Sequence, residues 1–484
     1  MLDFLPWMDE VHIVEMGRNF LSPASAADGT ILSLAGGQPF IPLYYIGPVF
    51  HEVVFRLFGE AGVRLSPVAG AILAAVTLAW FLKSCGRYSR FAVISTFLLS
   101  LTLPLLVQST RLVRIDSWLF AICFATCGLL SRKMYKTAAL IAALSPFVWP
   151  SAAMLAPMYL MVHVENRERH ARLVIPAILG TCMFAILLIP LLHVFSIAAG
   201  SLSYYFATYS SGAIAGGCFD ILGQCKSLIV PIAKETLRAP FFLFIAYTGV
   251  ALSLWKRKVL FTMFLAAVFL GVATGMHTFR YIYLMPYFLV FAADAIEHFH
   301  EKLPKATMAA AALAIAYGFA CGPLAYAIAD LSGSPDRMNA AAAEVFKDAP
   351  AGAKVFTPGY STYYALRALG LTQVAIAEQS GYSDEGFVSH LLKQCNYALV
   401  ETEDKYAAIE ESYTLYGLLR DFCLEKARIE SACEEKSLAG KIGEAFAYGT
   451  KSPVEDAILK GGFTMERQFS CKGKDFSLYK RIRR

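Results

Sequence analysis

The chain has 484 residues, 57% of them hydrophobic and 17% charged, with a mean hydropathy of +0.52 and a formal net charge of +6. Soluble proteins average about 45–50% apolar and about 25% charged residues, so this balance excludes a disordered chain, a disulfide-stapled secreted scaffold and an ordinary cytosolic enzyme. The small positive charge gives no reason to invoke nucleic acid, and the composition is that of an integral membrane protein.

The apolar residues fall unevenly and divide the chain into three expected domains. Residues 1–64 form an outer-face first loop with interfacial helices, 65–329 a transmembrane helical domain, and 330–484 an outer-face α/β domain.

In the first of these, Trp7 to Arg18 carries apolar residues at helical spacing from Asp9 onward, so Asp9 is placed to cap a helix lying on the membrane surface. Capping accounts for one acid better than for the adjacent pair Asp9-Glu10. Pro42-Leu43-Tyr44-Tyr45 then leads an amphipathic stretch to Gly59. With His51, Glu52 and Arg56 it is too polar for a lipid-facing span and reads as an interfacial helix, its acid and imidazole solvated or paired.

A bilayer core of about 30 Å takes roughly 20 apolar residues of helix. Ten stretches are candidate spans: 65–82, 91–108, 116–131, 137–148, 149–164, 173–196, 240–255, 259–276, 281–297 and 306–327. The run 137–164 reads either as one long helix or as a hairpin broken at Pro146-Phe147-Val148-Trp149-Pro150. Charge decides between them. Connectors 83–90, 132–136, 165–172, 256–258 and 298–305 hold 14 Lys or Arg in 32 residues, against six in 109–115, 197–239 and 277–280. That asymmetry survives only if 137–164 crosses twice, so the positive-inside rule favours the hairpin. Ten crossings leave both termini outside, which leads to the expectation of a further transmembrane helix upstream of Met1.

Two more outer-face segments carry candidate chemistry. In Thr110 to Trp118, Asp116 opens a span beside Arg111 and Arg114. This is either an interfacial salt bridge or an acid paired with an anion-binding arginine at a reaction centre. Met276 to Tyr281 presents His277 and Arg280 in a short turn; guanidinium matches phosphate geometry, and the alternative is snorkelling to lipid headgroups.

In the carboxy-terminal region, 339–349 reads as a helix and 353–357 and 397–401 as strands. Two further runs, 465–471 and 476–481, read as a closing hairpin. Helical stretches are expected near 363–369, 385–394 and 404–421. Of 11 cysteines, six (Cys218, Cys225, Cys395, Cys423, Cys433 and Cys471) fall on the outer face, an even number that permits disulfides. Cys218 and Cys225 are the readiest pair. No CxxC, HExxH, P-loop, GxSxG or strand-borne GxGxxG appears in a supporting context, so nucleotide-driven transport is not expected of this chain.

Taken in order, Asp9-Glu10 with Glu15-Met16-Gly17-Arg18, Pro42-Leu43-Tyr44-Tyr45, Leu57-Phe58-Gly59, Arg114-Ile115-Asp116, and Arg280-Tyr281 with Pro286 resemble the GT-C superfamily of polytopic glycosyltransferases, particularly the aminoarabinose transferase and protein O-mannosyltransferase type. Each motif is weak alone; jointly, across about 330 residues, they are fairly specific. The resemblance implies an inverting glycosyltransferase of the bacterial inner membrane, taking a sugar from a polyprenyl-phosphate donor to a lipid, glycan or protein acceptor on the outer, periplasmic face. It also implies a first transmembrane helix ahead of the acid-bearing loop. By that resemblance Asp9 is the base, and Glu10 and Asp116 orient the acceptor or hold a divalent cation (Mg or Mn) between Asp9 and Asp116. Arg280, His277, Arg111, Arg114 and Tyr281 would bind the donor phosphate, and Tyr44 and Tyr45 would line the acceptor cavity. Some relatives carry a phosphate-contacting Lys at the middle hairpin tip; this chain has no cation between Pro146 and Ser151, which shifts that load to the arginines and His277. The alternative is a transporter or flippase of lipid-linked sugars, and a third reading is a non-catalytic assembly protein. A transporter calls for polar residues in mid-span, whereas here they gather at the outer mouths.

Overall fold

In the computed structural model the described residues are 8–22, 41–42, 44–112, 114–166, 174–194, 221–273, 281–332, 338–357, 362–374, 392–401, 463–471 and 474–481; at some of these, Asp9 among them, only the backbone is described. They form two compact units. The first joins residues 1–42, 51–56 and 326–484; the second comprises 43–50 and 57–325.

The second unit is helical. Its elements are α2 (Ile46–Ser84, which lends residues 51–56 to the first unit), α3 (Arg90–Thr102), α4 (Pro104–Arg111), α5 (Asp116–Ser131), α6 (Tyr135–Val148), α7 (Ala156–Glu165), α8 (Val174–Leu188), α9 (Ile221–Arg238), α10 (Pro240–Lys256), α11 (Lys258–Ala273), α12 (Met285–Lys302) and α13 (Pro304–Phe319). Among the described residues four helical stretches, Ile46–Ser84, Val174–Leu192, Ile282–Lys302 and Pro304–Ile328, are long and apolar enough to cross a membrane, or six if each of two bent helix pairs is one span. Asp116–Ser131, Tyr135–Val148 and Lys258–Val272 are shorter apolar helices. This is the build of a multi-pass membrane protein.

Prolines and glycines shape the bundle. Leu103 precedes Pro104 and is pushed into an extended conformation (φ −61°, ψ 122°). The stretch expected to run straight over 91–108 therefore bends by 48° into α3 and α4. A second break, of 119°, separates Pro231–Arg238 from α10 at Ala239-Pro240. The connector expected over 197–239 is helical from Ile221 onward. Gly59 (φ 66°, ψ −160°) interrupts α2 and divides the polar segment at its start from the apolar remainder. At Gly249 the missing Cβ lets α10 lie directly on the backbone carbonyl of Phe291 in α12. Every residue of α12 from Met285 to Ala293 is buried, as befits a helix apolar all round at the centre of a bundle.

The chain doubles back within 137–164. Trp149 is extended (φ −162°, ψ 140°) and Pro150–Leu155 forms a 3-10 turn. Returning along α6, α7 sets the His163 ring 6.4 Å from Tyr135 and the Tyr159 hydroxyl 3.3 Å from Ser145.

The basic connectors meet at one end of the bundle. Arg257 Nη2 lies 2.6 Å from Glu165 Oε1, and its Nη1 lies 2.7 Å from Asp294 Oδ2. Tyr88 donates to Asp294 Oδ1 at 2.8 Å, the Ser89 amide to Glu297 at 2.7 Å, Arg132 to Ser84 at 3.0 Å and Asn166 to the Leu130 carbonyl at 2.8 Å. Lys256 Nζ is 2.7 Å from His298 Nδ1. Burial pushes the Tyr88 hydroxyl well above its ordinary range, with Asp294 adding to the shift, so the phenol stays a donor.

The first unit contains α1 (Met8–Leu21), α14 (Ala325–Ser332, from Tyr326 onward), α15 (Met338–Val345), β1 (Lys354–Phe356), α16 (Tyr363–Ala368), β2 (Thr372–Val374), β3 (Tyr397–Glu401), β4 (Phe463–Cys471) and β5 (Lys474–Arg481). The sheet order is β2-β1-β3-β5-β4; β1 pairs parallel with β2 and β3, and β5 antiparallel with β3 and β4. Alternation along the strands feeds two cores. Val355, Tyr397, Leu399 and Leu478 pack with Ala342, Phe346 and Leu366 on one face, while Phe356, Val374, Ala398, Val400 and Tyr479 pack on the other. The strand β2 was not expected from the sequence. The helix expected over 404–421 and most of that over 385–394 lie outside the described residues, as do Cys218, Cys423, Cys433 and the Cys225 side chain. Cys395 is buried, and burial pushes its thiol up to about 12.

Candidate active site

Asp116 is the first residue of α5, where the positive end of the helix dipole favours a carboxylate. It is fully buried, and a buried charge persists only when paired and hydrogen-bonded. Its Oδ2 accepts from Arg114 Nε at 2.6 Å and from Ser109 Oγ at 3.1 Å. Oδ1 takes a short hydrogen bond from the Tyr283 hydroxyl. The bend at Pro104 turns α4 so that Ser109 reaches the acid, and a 3-10 turn, Ile282–Leu284, delivers Tyr283 at the start of α12. Phe120 meets the Tyr283 ring edge-on at 5.7 Å between centroids.

The second broken helix enters the same neighbourhood. Arg238, the last residue of α9, is 2% exposed and donates to Gln108 of α4 at 2.9 Å and to Glu235 at 3.0 Å. Arg111 and Arg114 are buried as well. Three guanidinium groups and two carboxylates thus collect around the ends of interrupted helices. Irregular backbone at membrane depth is tolerated only where it is buried in protein or lines a cavity. Beneath lies a narrow apolar cleft bordered by Ala71, Ala74, Ser100, Leu106, Phe120 and Pro286, with Ser109 and Ser117 at its polar edge. Asp116 opens α5 at the end remote from the basic connectors, since Ser131 closes that helix beside Cys85, and Tyr283 precedes α12, whose Asp294 and Glu297 further along meet Arg257 and the Ser89 amide. The 16 residues of α5 make that separation about 24 Å.

The other expected site residues are placed as follows. The backbone of Asp9 is in the first turn of α1, while its side chain, His277 and Arg280 lie outside the described residues. Glu10 is fully buried in the first unit. Tyr281 is buried with its ring 6.0 Å from Phe288. Tyr44 packs edge-on against Trp149 at 4.9 Å, and Tyr45 donates its hydroxyl to the Leu187 carbonyl at 3.0 Å while its ring meets Phe147. Within the second unit the structure therefore joins Arg114 to Asp116. Ser109, Gln108, Arg238, Glu235 and Tyr283 were not expected; Tyr283 lies only two residues beyond the Arg280-Tyr281 motif, which was the available signal. Glu52, expected solvated or paired at an interface, is paired and fully buried.

No group of three or more His, Cys, Asp or Glu stands together as metal ligands among the described residues. Of the two acids expected to hold a divalent cation, the Asp9 side chain lies outside the described residues, and Asp116 carries the Arg114 guanidinium on Oδ2.

No family model matches the sequence, and no curated protein matches it. Among solved structures, the chain is similar to the apo crystal structure of ArnT from Cupriavidus metallidurans, with 12% identity and a TM-score of 0.41 over 84% of this chain and 90% of that one.

Proposed function

We propose that the protein is a membrane glycosyltransferase that moves a sugar from a polyprenyl-phosphate donor to an acceptor hydroxyl with inversion at the anomeric carbon. The observation that carries the reading is the cluster of buried arginines around Asp116 where two broken helices end. Such a cluster suits an anionic headgroup.

The acceptor oxygen forms a bond to the anomeric carbon as the bond from that carbon to the phosphate oxygen breaks. Asp9 takes the hydroxyl proton and the lipid phosphate leaves with the electron pair. Asp116 holds Arg114, and Arg111, Arg280, His277 and Tyr281 receive the phosphate charge. Glu10, Tyr44 and Tyr45 face the acceptor. A divalent cation held between Asp9 and Asp116 would add to the positive charge that the arginines offer the leaving phosphate. In this reading the bundle makes about ten crossings of a bacterial inner membrane, basic connectors inside, with 1–64 and the carboxy-terminal domain 330–484 on the periplasmic side. The clustering of those connectors supports this orientation.

The transporter alternative gains no support. Thr96, Thr126 and Ser253 inside the bundle bond back to carbonyls of their own helices rather than to one another across a path. The test is Asp9→Asn in membranes supplied with a cell extract of lipid-linked sugars, read as release of polyprenyl phosphate. A fall of at least a hundredfold is expected; near-normal release refutes the base assignment.

A further inference from the structure

A buried ionic junction ties together three stretches of the first unit that are far apart in sequence. Glu15 of α1 accepts from Arg18 at 3.2 Å and from the Tyr363 hydroxyl of α16 at 2.7 Å. Arg367, one turn on, donates through Nη1 to the Tyr363 oxygen at 2.9 Å and to Glu52 Oε2 at 2.9 Å, and through Nη2 to Glu52 Oε1 at 3.1 Å. Arg56 Nε closes on Glu52 Oε1 at 2.7 Å. The Arg367 guanidinium lies 4.2 Å from the Phe55 ring centre, and Phe55 stacks on Tyr364 at 5.4 Å. Glu15 and Glu52 are fully buried and Tyr363 is 1% exposed. Burial, with the Glu15 carboxylate beside it, holds the Tyr363 phenol well above its ordinary range, so it remains a donor.

Two carboxylates could have been left in solvent or replaced by apolar packing, which is often at least as stabilising as a buried ion pair. What the junction adds is direction. A two-pronged guanidinium–carboxylate pair and a hydroxyl shared between Glu15 and Arg367 admit few alternative geometries. It thereby fixes α1 along its axis and about it. Position 9 lies six residues before Glu15 on the same helix, about 9 Å up the axis, and a catalytic group misplaced by about 1 Å loses much of its rate.

We propose that Tyr363 and Arg367 are positioning residues which, through Glu15 and Glu52, hold helix α1 and its acids Asp9 and Glu10 in working register against the carboxy-terminal domain. This rests on the assignment of Asp9 as base. The carboxy-terminal domain is then part of the catalytic apparatus without touching the reacting atoms.

The test uses the full chain in nanodiscs, with the variants Y363F, R367A, R367K and D9N. Two quantities are read: hydrogen exchange of amides 8–21, and kcat and KM for polyprenyl phosphate release from a lipid-linked sugar extract. Arg367→Ala and Tyr363→Phe should each speed α1 exchange at least tenfold and lower kcat at least tenfold. The donor KM should stay within twofold, and exchange at 285–302 should be unchanged. Arg367→Lys, which keeps the charge but not the fork, should restore part of both. Tyr363→Phe removes one oxygen and guards against a misfolded alanine variant. The proposal is overturned if α1 exchange is unchanged in both variants, if α1 loosens with kcat intact, or if the loss falls on KM. Should Asp9→Asn keep normal turnover, the base assignment fails instead; an inactive Asp9→Asn beside an active Arg367→Ala overturns the positioning role alone.

Discussion

Replacing Asp116 by Asn keeps the shape of the side chain and removes its charge, which makes the cost separable. The three partners all donate at present. Ser109 and Tyr283 carry hydroxyls that can reverse and accept from the new amide, whereas Arg114 can only donate. The amide oxygen must therefore take the Oδ2 place and the NH2 group the Oδ1 place. Every hydrogen bond can be remade, so what is lost is the charge opposite a guanidinium that is 7% exposed. Breaking a buried pair on one side costs about 3–5 kcal/mol, while replacing both partners by apolar groups is often near neutral. Asp116→Asn should thus lose about 3–5 kcal/mol in SDS-titration unfolding from mixed micelles, and the double variant D116L/R114M should lose less than Asp116→Asn. Turnover should be abolished in the double variant, where the arginine is absent, and lowered in Asp116→Asn, where it keeps its place but loses the charge that holds it. A loss below about 1 kcal/mol for Asp116→Asn would refute the reasoning. So would a double variant worse than the single.

At Gly249 an added Cβ would collide with the Phe291 carbonyl, so Gly249→Ala must push α10 off α12 and should cost about 1–3 kcal/mol in the same unfolding assay; an unchanged midpoint would show that the helices are not in such close contact. His12 in α1 is pushed down to about 4 by burial, below its ordinary 6.5. An unfolded chain then binds a proton that the folded one refuses, so the stability of the first unit should be full above about pH 6.5 and fall as pH drops towards 4. His12→Gln should flatten that part of the pH–stability curve; an unchanged curve would assign the acid sensitivity to other groups.

Asp116 could be singled out in the sequence because an acid beside two arginines at a span mouth is unusual, and the paired reading of Arg114 needed only the local segment. Its third partner could not be found that way, since Tyr283 is 167 positions away and a tyrosine opening an apolar helix is unremarkable in sequence. Glu15 was noticed as part of a motif, but Tyr363, 348 residues on, was invisible as its partner. Glu52 and His51 read as surface groups because polarity alone cannot tell exposure from a buried charged junction; both are fully buried. The bends at Pro104 and Pro240 were signalled by the prolines themselves, yet apolar content on either side masked the first. Strands β3, β4 and β5 are long enough to be placed from the sequence, whereas β2 has only three residues and no periodicity to detect.

Arg257 takes its partners from chain made long before it, Tyr88 and Glu165, and from chain made after it, Asp294. During synthesis the guanidinium can engage Glu165 as soon as the α10–α11 turn emerges, but Asp294 arrives 37 residues later. This end of the bundle is therefore closed from the carboxy-terminal side. Helix α12 acts as the keystone, and a chain stalled before it would leave this ionic latch half fastened.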